Sequence, residues 1–343
     1  MKWRIGIAVL LLVILTLAGW MIYRHFNQPV FAPGDPLGFV VENNEFVMRY
    51  VPAATFPTGL EDDGLSTVEH DFWLGETEVT YALWYEVRNW AEEHGYLFRN
   101  RGTEGNEGRS GRDPTENRYH PVVRISWHDA VAWCNALSEY LGYEPVYTYG
   151  GDIFRDARDR SATVDTISAN PIYRRNVIGF RLPTFYEWQL AARYRGRDRS
   201  GSAIRYPWWR WTFWTPGIHA SGSAHPYTNE EALHDVAWFS GNSGGTTQPV
   251  GLKPPGGNTL GLYDMSGNVF EWIDPPDDDY RFYVGGCYLR QDAMRLQVGR
   301  QEHASGSEHR SLRSFYVNVG FRLVLSLQVN PVDIQERWGE WTY

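Results

Sequence analysis

The sequence predicts a single α+β domain that is rich in loops and has an aromatic core. Glycine supplies 34 of the 343 residues, above an average share of roughly 7%, and the glycines follow no period, which excludes a fibrous repeat. The chain also holds 16 tryptophans, 21 tyrosines and 16 phenylalanines, whose large rings can fill a core between loops. After Tyr206, short apolar runs alternate with Gly, Pro, Asn and Ser, and no helix of four turns can be drawn.

Capping residues predict helices in the first part of the chain. Thr80 precedes a stretch whose apolar residues recur every three or four positions, as they do on one face of a helix. Ser126 with Asp129, and Thr184 with Glu187, form capping boxes that begin two further helices.

Strand-like stretches lie on either side of these helices. They occupy residues 46–57 and 72–75, and residues 283–289 and 317–327 near the carboxyl end. Together with the helices they predict one domain over residues 38–328.

The amino terminus predicts a membrane segment outside this domain. Residues 5–23 carry no charge and, at about 1.5 Å per residue, are long enough to cross the hydrocarbon core of a bilayer. Basic residues precede the stretch, which favours export of everything after it. We expect residues 1–26 to be a membrane anchor, or a signal segment cleaved after Ala18 that leaves a secreted protein. Residues 27–37 are then a linker and 329–343 a tail, and the domain is extracytoplasmic.

The charge balance bears on the partners. The chain has 32 Lys and Arg against 41 Asp and Glu, a net charge of −9, and no basic stripe stands out. A protein held to nucleic acid by phosphate contacts needs such a stripe. Nucleic acid is therefore not an expected partner.

The chain contains two cysteines, Cys134 and Cys287. Two cysteines exclude the disulfide framework of a small secreted domain. A single bond between them stays open as an alternative. Because Cys134 lies in an apolar helical pattern, the sequence favours two separate buried thiols.

Several short motifs occur in an order and spacing that point to a known family. The most specific are Arg-Leu-Pro-Thr at residues 181–184 and Gly-Asn-Val-Phe-Glu-Trp at 267–272, accompanied by His-Pro-Val-Val at 120–123 and Gly-Phe-Arg-Leu at 320–323. On these motifs the chain resembles the formylglycine-generating enzyme, or sulfatase-modifying factor, family. The resemblance implies a C-type-lectin-like fold with little regular secondary structure and long loops.

The resemblance also implies where oxidase chemistry would be found. Active members hold copper with two cysteines, three and eight residues after the serine of a Gly-Gly-Ser sequence. Cys287 stands at that serine here, and Arg290 and Arg295 stand at the two cysteine positions. A guanidinium is a permanent cation with no lone pair to donate, so we expect no copper and no formylglycine-generating activity. Cys287 alone remains as a candidate catalytic residue.

A structural calcium ion is the cofactor that the resemblance implies. Asn268 and Glu271 match the block that holds calcium in this family, together with main-chain oxygens at Gly267 and Val269. Hard oxygen ligands from one tight turn suit Ca²⁺. The alternative is that Asn268 satisfies the backbone of the turn and Glu271 pairs with an arginine such as Arg322.

The segment between the two carboxyl-terminal strands is the candidate ligand-binding surface. Its place just before the terminal Gly-Phe-Arg resembles that of the hypervariable segment in variable proteins of diversity-generating retroelements, which also use the lectin-like fold. A protein or a carbohydrate is the expected ligand. The candidate ligand-binding residues are Leu289, Arg290, Gln291, Arg295, Arg300, His303, His309, Arg313 and Phe315.

Rings are densest at Trp208, Trp209, Trp211, Phe213 and Trp214. Exposed rings can bind sugars or peptides, but filling of the core is the more usual role of such a cluster. Taken together, the residues favour an exported ligand-binding member of the family. The alternatives are an oxidoreductase with an altered metal or thiol site around Cys287, and a structural envelope protein.

Overall fold

The protein is represented by a computed structural model that describes residues 31–159, 162–165, 177–206, 211–256, 258–274, 281–289, 293–300 and 318–326, and the backbone of 302–304. Residues Pro33–Leu327 form one compact unit. Within the described ranges, no helix combines the length and the hydropathy of a membrane span. The predicted anchor at residues 1–26 and the tail at 329–343 lie outside these ranges.

The helices follow the predicted capping signals. Thr80 Oγ1 accepts a hydrogen bond from the amide of Leu83, and both predicted capping boxes are formed, at Ser126 and at Thr184. These caps satisfy amide groups that the first turn of a helix leaves without partners. The helices are α1 (Tyr81–Glu93), α2 (Trp127–Tyr140), α3 (Phe185–Arg193) and α4 (Glu230–Val236), with a 3₁₀ turn at Ala293–Leu296.

The strands are short and are spread along the whole domain. In chain order they are β1 (Pro36–Val41), β2 (Asn44–Val51), β3 (Ala54–Thr58), β4 (Gly64–Val68), β5 (Phe72–Gly75), β6 (Thr103–Glu104), β7 (Val122–Val123), β8 (Thr148–Tyr149), β9 (Asp152–Ile153), β10 (Phe180–Arg181), β11 (Ile204–Arg205), β12 (Phe213–Trp214), β13 (Phe270–Trp272), β14 (Arg281–Val284), β15 (Glu302–Ala304), β16 (Val319–Gly320) and β17 (Val324–Ser326).

Two sheets organise these strands. The first has the order β1-β2-β5-β17-β10 with antiparallel neighbours, so it joins the amino-terminal hairpin to the carboxyl end of the domain. The second has the order β15-β14-β13-β16, in which β13 and β16 run parallel. The remaining described pairs are two-stranded: β3-β4, β6-β7, β8-β9 and β11-β12.

The strand predictions need three corrections. Residues 46–57 form two strands, β2 and β3, because the chain turns at Pro52, which cannot donate to a sheet. The strand predicted at 283–289 is β14, which ends before Gly285, where φ is 92°. The stretch at 317–327 divides into β16 and β17, which belong to different sheets.

Stacked rings hold α1 against α2, as the aromatic composition predicted. The indoles of Trp84 and Trp133 stack with centroids 5.7 Å apart and an interplanar angle of 9°, and the edge of Phe321 packs against both. The indole of Trp133 also donates to the carbonyl of Trp84 at 3.1 Å. Because Phe321 follows β16 directly, this packing joins the helices to the residues between the two sheets.

A buried ion pair joins β10 to the start of α3. Arg181 donates two hydrogen bonds to the carboxylate of Glu187, at 2.6 and 2.7 Å, and both side chains are shielded from solvent. Burial by itself would raise the pKa of Glu187, but the charge and hydrogen bonds of Arg181 hold it below its usual range. The imidazole of His70 lies 3.0 Å from the same carboxylate.

We predict that Glu187→Gln lowers the free energy of unfolding by about 3–5 kcal/mol at pH 7, because it leaves Arg181 buried without a counter-charge. A carboxyl whose pKa is depressed by folding stabilises the fold above its unfolded pKa, and this contribution is lost as the pH falls through the folded pKa. Urea unfolding should therefore give a constant difference in the free energy of unfolding between wild type and variant above pH 4.5, the ordinary pKa of a glutamate. This difference should become smaller in stronger acid. His70→Gln, at a partly exposed position, is the control and should cost far less.

Candidate functional site

The predicted calcium turn is held by protein contacts. Asn268 has a φ of 54°, and its side-chain oxygen accepts the amide of Gln248 at 3.0 Å. Its amide group donates to Glu78 at 2.7 Å, and the backbone amide of Val269 donates to the same carboxylate at 3.0 Å. Gly267 has a φ of 92°, and a Cβ there would lie 2.3 Å from the carbonyl oxygen of Trp238, so only glycine fits.

Glu271 takes part in a buried ion pair, as the alternative interpretation of the sequence proposed. Arg322 donates to both of its carboxylate oxygens, at 2.5 and 2.7 Å, and the indole of Trp188 donates at 2.9 Å. Both side chains of the pair are fully buried. The side-chain oxygens of Asn268 and Glu271 thus already accept protein hydrogen bonds, while calcium binding itself stays a prediction.

Asp264 is the acidic residue that sequence reasoning missed here. One carboxylate oxygen accepts the amide of Gly251 at 2.7 Å, and the other is buried with no hydrogen-bond partner in the described structure. The pKa of Asp264 is raised to about 6, mainly by burial; neighbouring Glu271 contributes to the rise, while the hydrogen bond from Gly251 and the charge of Arg322 oppose it. Burial also raises the pKa of Glu78 well above its usual range. The buried oxygen of Asp264 that accepts no hydrogen bond in the described structure could therefore bind a cation or a proton.

The sequence contained one signal for Asp264. It precedes the Gly-Asn-Val-Phe-Glu-Trp motif by three residues and follows the aromatic Tyr263 in an otherwise apolar run. Glu78 gave no such signal, because its role depends on a turn 190 positions further along the chain.

Cys287 lies at the base of the predicted ligand-binding segment. Its thiol is buried, and the side-chain amide of Asn318 donates to Sγ at 3.0 Å. The amide of Tyr288 donates to the carbonyl of Asn268 at 2.8 Å, and the amide of Phe270 donates to the carbonyl of Asn318 at 2.9 Å. The two ends of the segment are therefore joined to each other and to the same turn, an arrangement that we call the stem (residues 287–288 and 318).

Residues 293–300 are held against the domain. Leu296 and Val298 accept hydrogen bonds through their carbonyls from Ser266 at 2.8 Å and Gln189 at 3.1 Å, and Gly299 donates to Gly217 at 2.9 Å. The candidate ligand-binding residues Arg295 and Arg300 lie in this stretch and are partly exposed. The fixed backbone supports these side chains without needing a ligand.

The other candidates divide into two groups. Leu289 directly follows the stem residue Tyr288 and is 45% exposed, and the backbone of His303 lies in strand β15. Arg290, Gln291, His309, Arg313 and Phe315 lie outside the described residues.

Neither cysteine is in a disulfide bond and both are buried, which confirms the prediction of two separate thiols. Burial raises the pKa of Cys134 well above its usual range, and it raises the pKa of Tyr288, beside Cys287, to about 12. No group of three or more His, Cys, Asp or Glu side chains in the described ranges is arranged to hold a metal ion. Two cavities, of about 430 Å³ beside α4 and about 320 Å³ beside Glu78, have neither Cys287 nor Leu289 among their lining residues.

Together, the small sheets, capped helices and long connections define an α+β protein with a C-type-lectin-like fold, as the sequence predicted. A solved structure with the same fold is the Treponema denticola variable protein 1, with a TM-score of 0.58 and 26% identity over 85% of this chain and 99% of that one. Residues 41–327 match the sulfatase-modifying factor enzyme 1-like domain, and the chain belongs to that family.

Two relatives illustrate how varied the family is. A protein of Paenibacillus barcinonensis named chaperone protein LppX is 28% identical over 243 residues, which are 64% of this chain and 70% of that protein. The formylglycine-generating enzyme of Thermomonospora curvata is 30% identical over 236 residues, which are 68% of this chain and 57% of the enzyme. The match therefore spans little more than half the length of that enzyme.

We predict that neither thiol of the native protein reacts readily with a water-soluble thiol reagent, because both are buried. Asn318→Ala removes the hydrogen bond across the stem and should raise the labelling rate of Cys287 roughly tenfold through local opening. Cys134 is the internal control and should keep its rate. Mass spectrometry after timed labelling measures both sites, and equal acceleration at Cys134 would contradict a local role for Asn318.

Proposed function

We propose that this protein is an exported, membrane-anchored family member that binds a ligand through residues 289–315 and has lost the oxidase chemistry. The observation that carries the proposal is the stem. The segment leaves and re-enters the domain at positions joined by the Asn318–Cys287 hydrogen bond, and both ends bond to the turn at residues 268–270. A fixed base supports a binding loop because the loop can change in sequence without disturbing the core.

Charge and chemistry of the segment support binding rather than oxidation. Arg290 and Arg295 stand at the positions where active members have the copper-binding cysteines. Guanidinium groups cannot bind Cu(I), but they form strong hydrogen bonds with carboxylates and phosphates. A protein or carbohydrate ligand fits this surface, and the likeness to a protein named a chaperone favours a polypeptide. Membrane attachment through residues 1–26 belongs to the same proposal.

The test compares two pairs of arginines in the full chain. Arg290→Ala with Arg313→Ala should weaken binding to a partner identified by in-cell crosslinking by roughly tenfold or more, since arginines near the centre of an interface often contribute strongly. Arg109→Ala with Arg112→Ala removes the same charge from exposed positions of another loop and should leave affinity unchanged. Equal affinity of wild type and the first variant would show that the surface is wrongly assigned.

A second measurement asks whether the segment is diversified. Deep sequencing of the gene across a growing population and sister isolates should reveal substitutions confined to positions between Gly286 and Gly320 if the likeness to variable proteins extends to their biology. An invariant segment would remove the hypervariable part of the proposal and leave a fixed binding domain.

The alternative is an oxidoreductase of altered mechanism, and the buried thiol of Cys287 at the stem is the observation that favours it. Such an enzyme would require a redox metal, or a second reactive group, that acts together with the thiol of Cys287. A purified full chain that retains no redox-active metal, and whose activity towards cysteine-containing peptides is unaffected by Cys287→Ala, would exclude it.

We also propose that a calcium ion binds beside the turn at residues 267–271, with the unpaired oxygen of Asp264 as an additional ligand. When bound, the ion would neutralise carboxylates that are otherwise buried together. We predict that millimolar calcium raises Tm by roughly 3–6 °C relative to chelator-treated protein. Asp264→Asn should abolish this rise, and Asp63→Asn, at an exposed position, should preserve it. A Tm that is insensitive to calcium in the wild type would overturn this proposal.

A further inference from the structure

The hairpin of β11 and β12 has one face in the core and one face in solvent. On the inner face Trp214 is buried and packs on Phe56 and Tyr194, with ring centroids 5.8 and 5.6 Å apart. Arg205 and Phe213 are paired across the hairpin on the other face. Because side chains alternate along a strand, the described part of the predicted aromatic cluster is divided between core and surface. Trp208 and Trp209 lie outside the described residues.

Trp211 is the most exposed large apolar side chain in the described structure, at 62%. Two guanidinium groups lie over its ring: that of Arg205 is 5.4 Å from the ring centroid, and that of Arg199 is 5.6 Å from it. Arg199 also lies 5.6 Å from the ring of Phe213. Neither arginine forms an ion pair with a carboxylate among the residues that the structure describes.

The surroundings of this patch are basic although the chain as a whole is acidic. Residues 195–214 contain five arginines and one aspartate, a net charge of +4 in a chain of net charge −9. The single acid, Asp198, is bonded to the buried Arg195 at 2.6 Å. The arginines form no continuous stripe in the sequence because other residues separate them, and only the folded structure brings Arg199 and Arg205 to one indole.

We propose that the outer face of this hairpin, formed by Arg199, Arg205, Trp211 and Phe213, binds an anionic phospholipid surface. Tryptophan prefers the boundary between hydrocarbon and headgroups, where its ring is apolar and its N–H is hydrated. Arginine forms paired hydrogen bonds with phosphate oxygens, and basic side chains are attracted to anionic leaflets. A sugar ring or a nucleic-acid base would need a bare indole face, whereas here guanidinium groups lie against the ring.

This inference is independent of the predicted anchor. An apolar segment inserts into a bilayer whether its headgroups are neutral or anionic, whereas the proposed binding requires anionic headgroups. The experiment uses the full chain with lipid nanodiscs of pure phosphatidylcholine or of phosphatidylcholine with phosphatidylglycerol. Hydrogen–deuterium exchange is measured at residues 197–206 and 211–213. We expect exchange to be roughly tenfold slower with the anionic discs, and the difference to shrink at high salt because mobile ions screen charge.

Matched variants make the result specific. Arg199→Gln with Arg205→Gln and Trp211→Ala should lose the protection, and the charge-conserving Arg199→Lys with Arg205→Lys should retain part of it. Arg109→Gln with Arg112→Gln and Leu252→Ala removes equal charge and an exposed apolar side chain elsewhere, so it should behave like the wild type. Equal exchange in both kinds of disc would overturn the proposal, as would the same protection by heparin or single-stranded DNA without lipid.

Discussion

The guanidinium of Arg322 is the contact on which the rest of the domain depends. It bonds to Glu271 of β13, to the carbonyl of Gly75 at the end of β5 at 3.1 Å, and to the carbonyl of Tyr263 at 3.0 Å. One side chain thus joins both main sheets and the loop before the Gly-Asn-Val-Phe-Glu-Trp motif. Burial disfavours its charge, but Glu271 and the other nearby carboxylates raise the pKa of Arg322 and keep it charged.

A buried ion pair of this kind adds little net stability, because removing its two charges from water costs free energy that their attraction must offset. Removing either partner leaves an uncompensated charge and typically costs about 3–5 kcal/mol, while replacing both with apolar groups is often neutral. The same reasoning applies to Arg181 and Glu187 at the start of α3. The Glu271–Arg322 pair requires β13 and the residues after β16 to be neighbours, whereas the Arg181–Glu187 pair fixes the start of α3 against β10.

The sequence could predict interactions between residues that are close along the chain, but not those between residues far apart in it. Thr80 and Ser126 were identified as caps because a cap acts within three residues. Asp264 and Glu78 were not identified, because their environment is created by residues distant in the chain. The division of residues 317–327 between two sheets was missed for the same reason, since Phe321 packs against Trp133 and Trp84, which precede it by 188 and 237 positions. The family resemblance supplied the fold that local patterns could not.

A polar network around the turn at residues 267–271 connects distant parts of the scaffold to one another. Its members are Glu78, Asp264, Asn268, Glu271 and Arg322. In the described structure their side chains bond to one another, to the indole of Trp188 or to backbone groups of the scaffold, and none bonds to residue 289 or to residues 293–300. A scaffold held in this way can keep its fold while side chains at other positions differ, and the stem constrains where the segment after Tyr288 leaves the domain and where it returns.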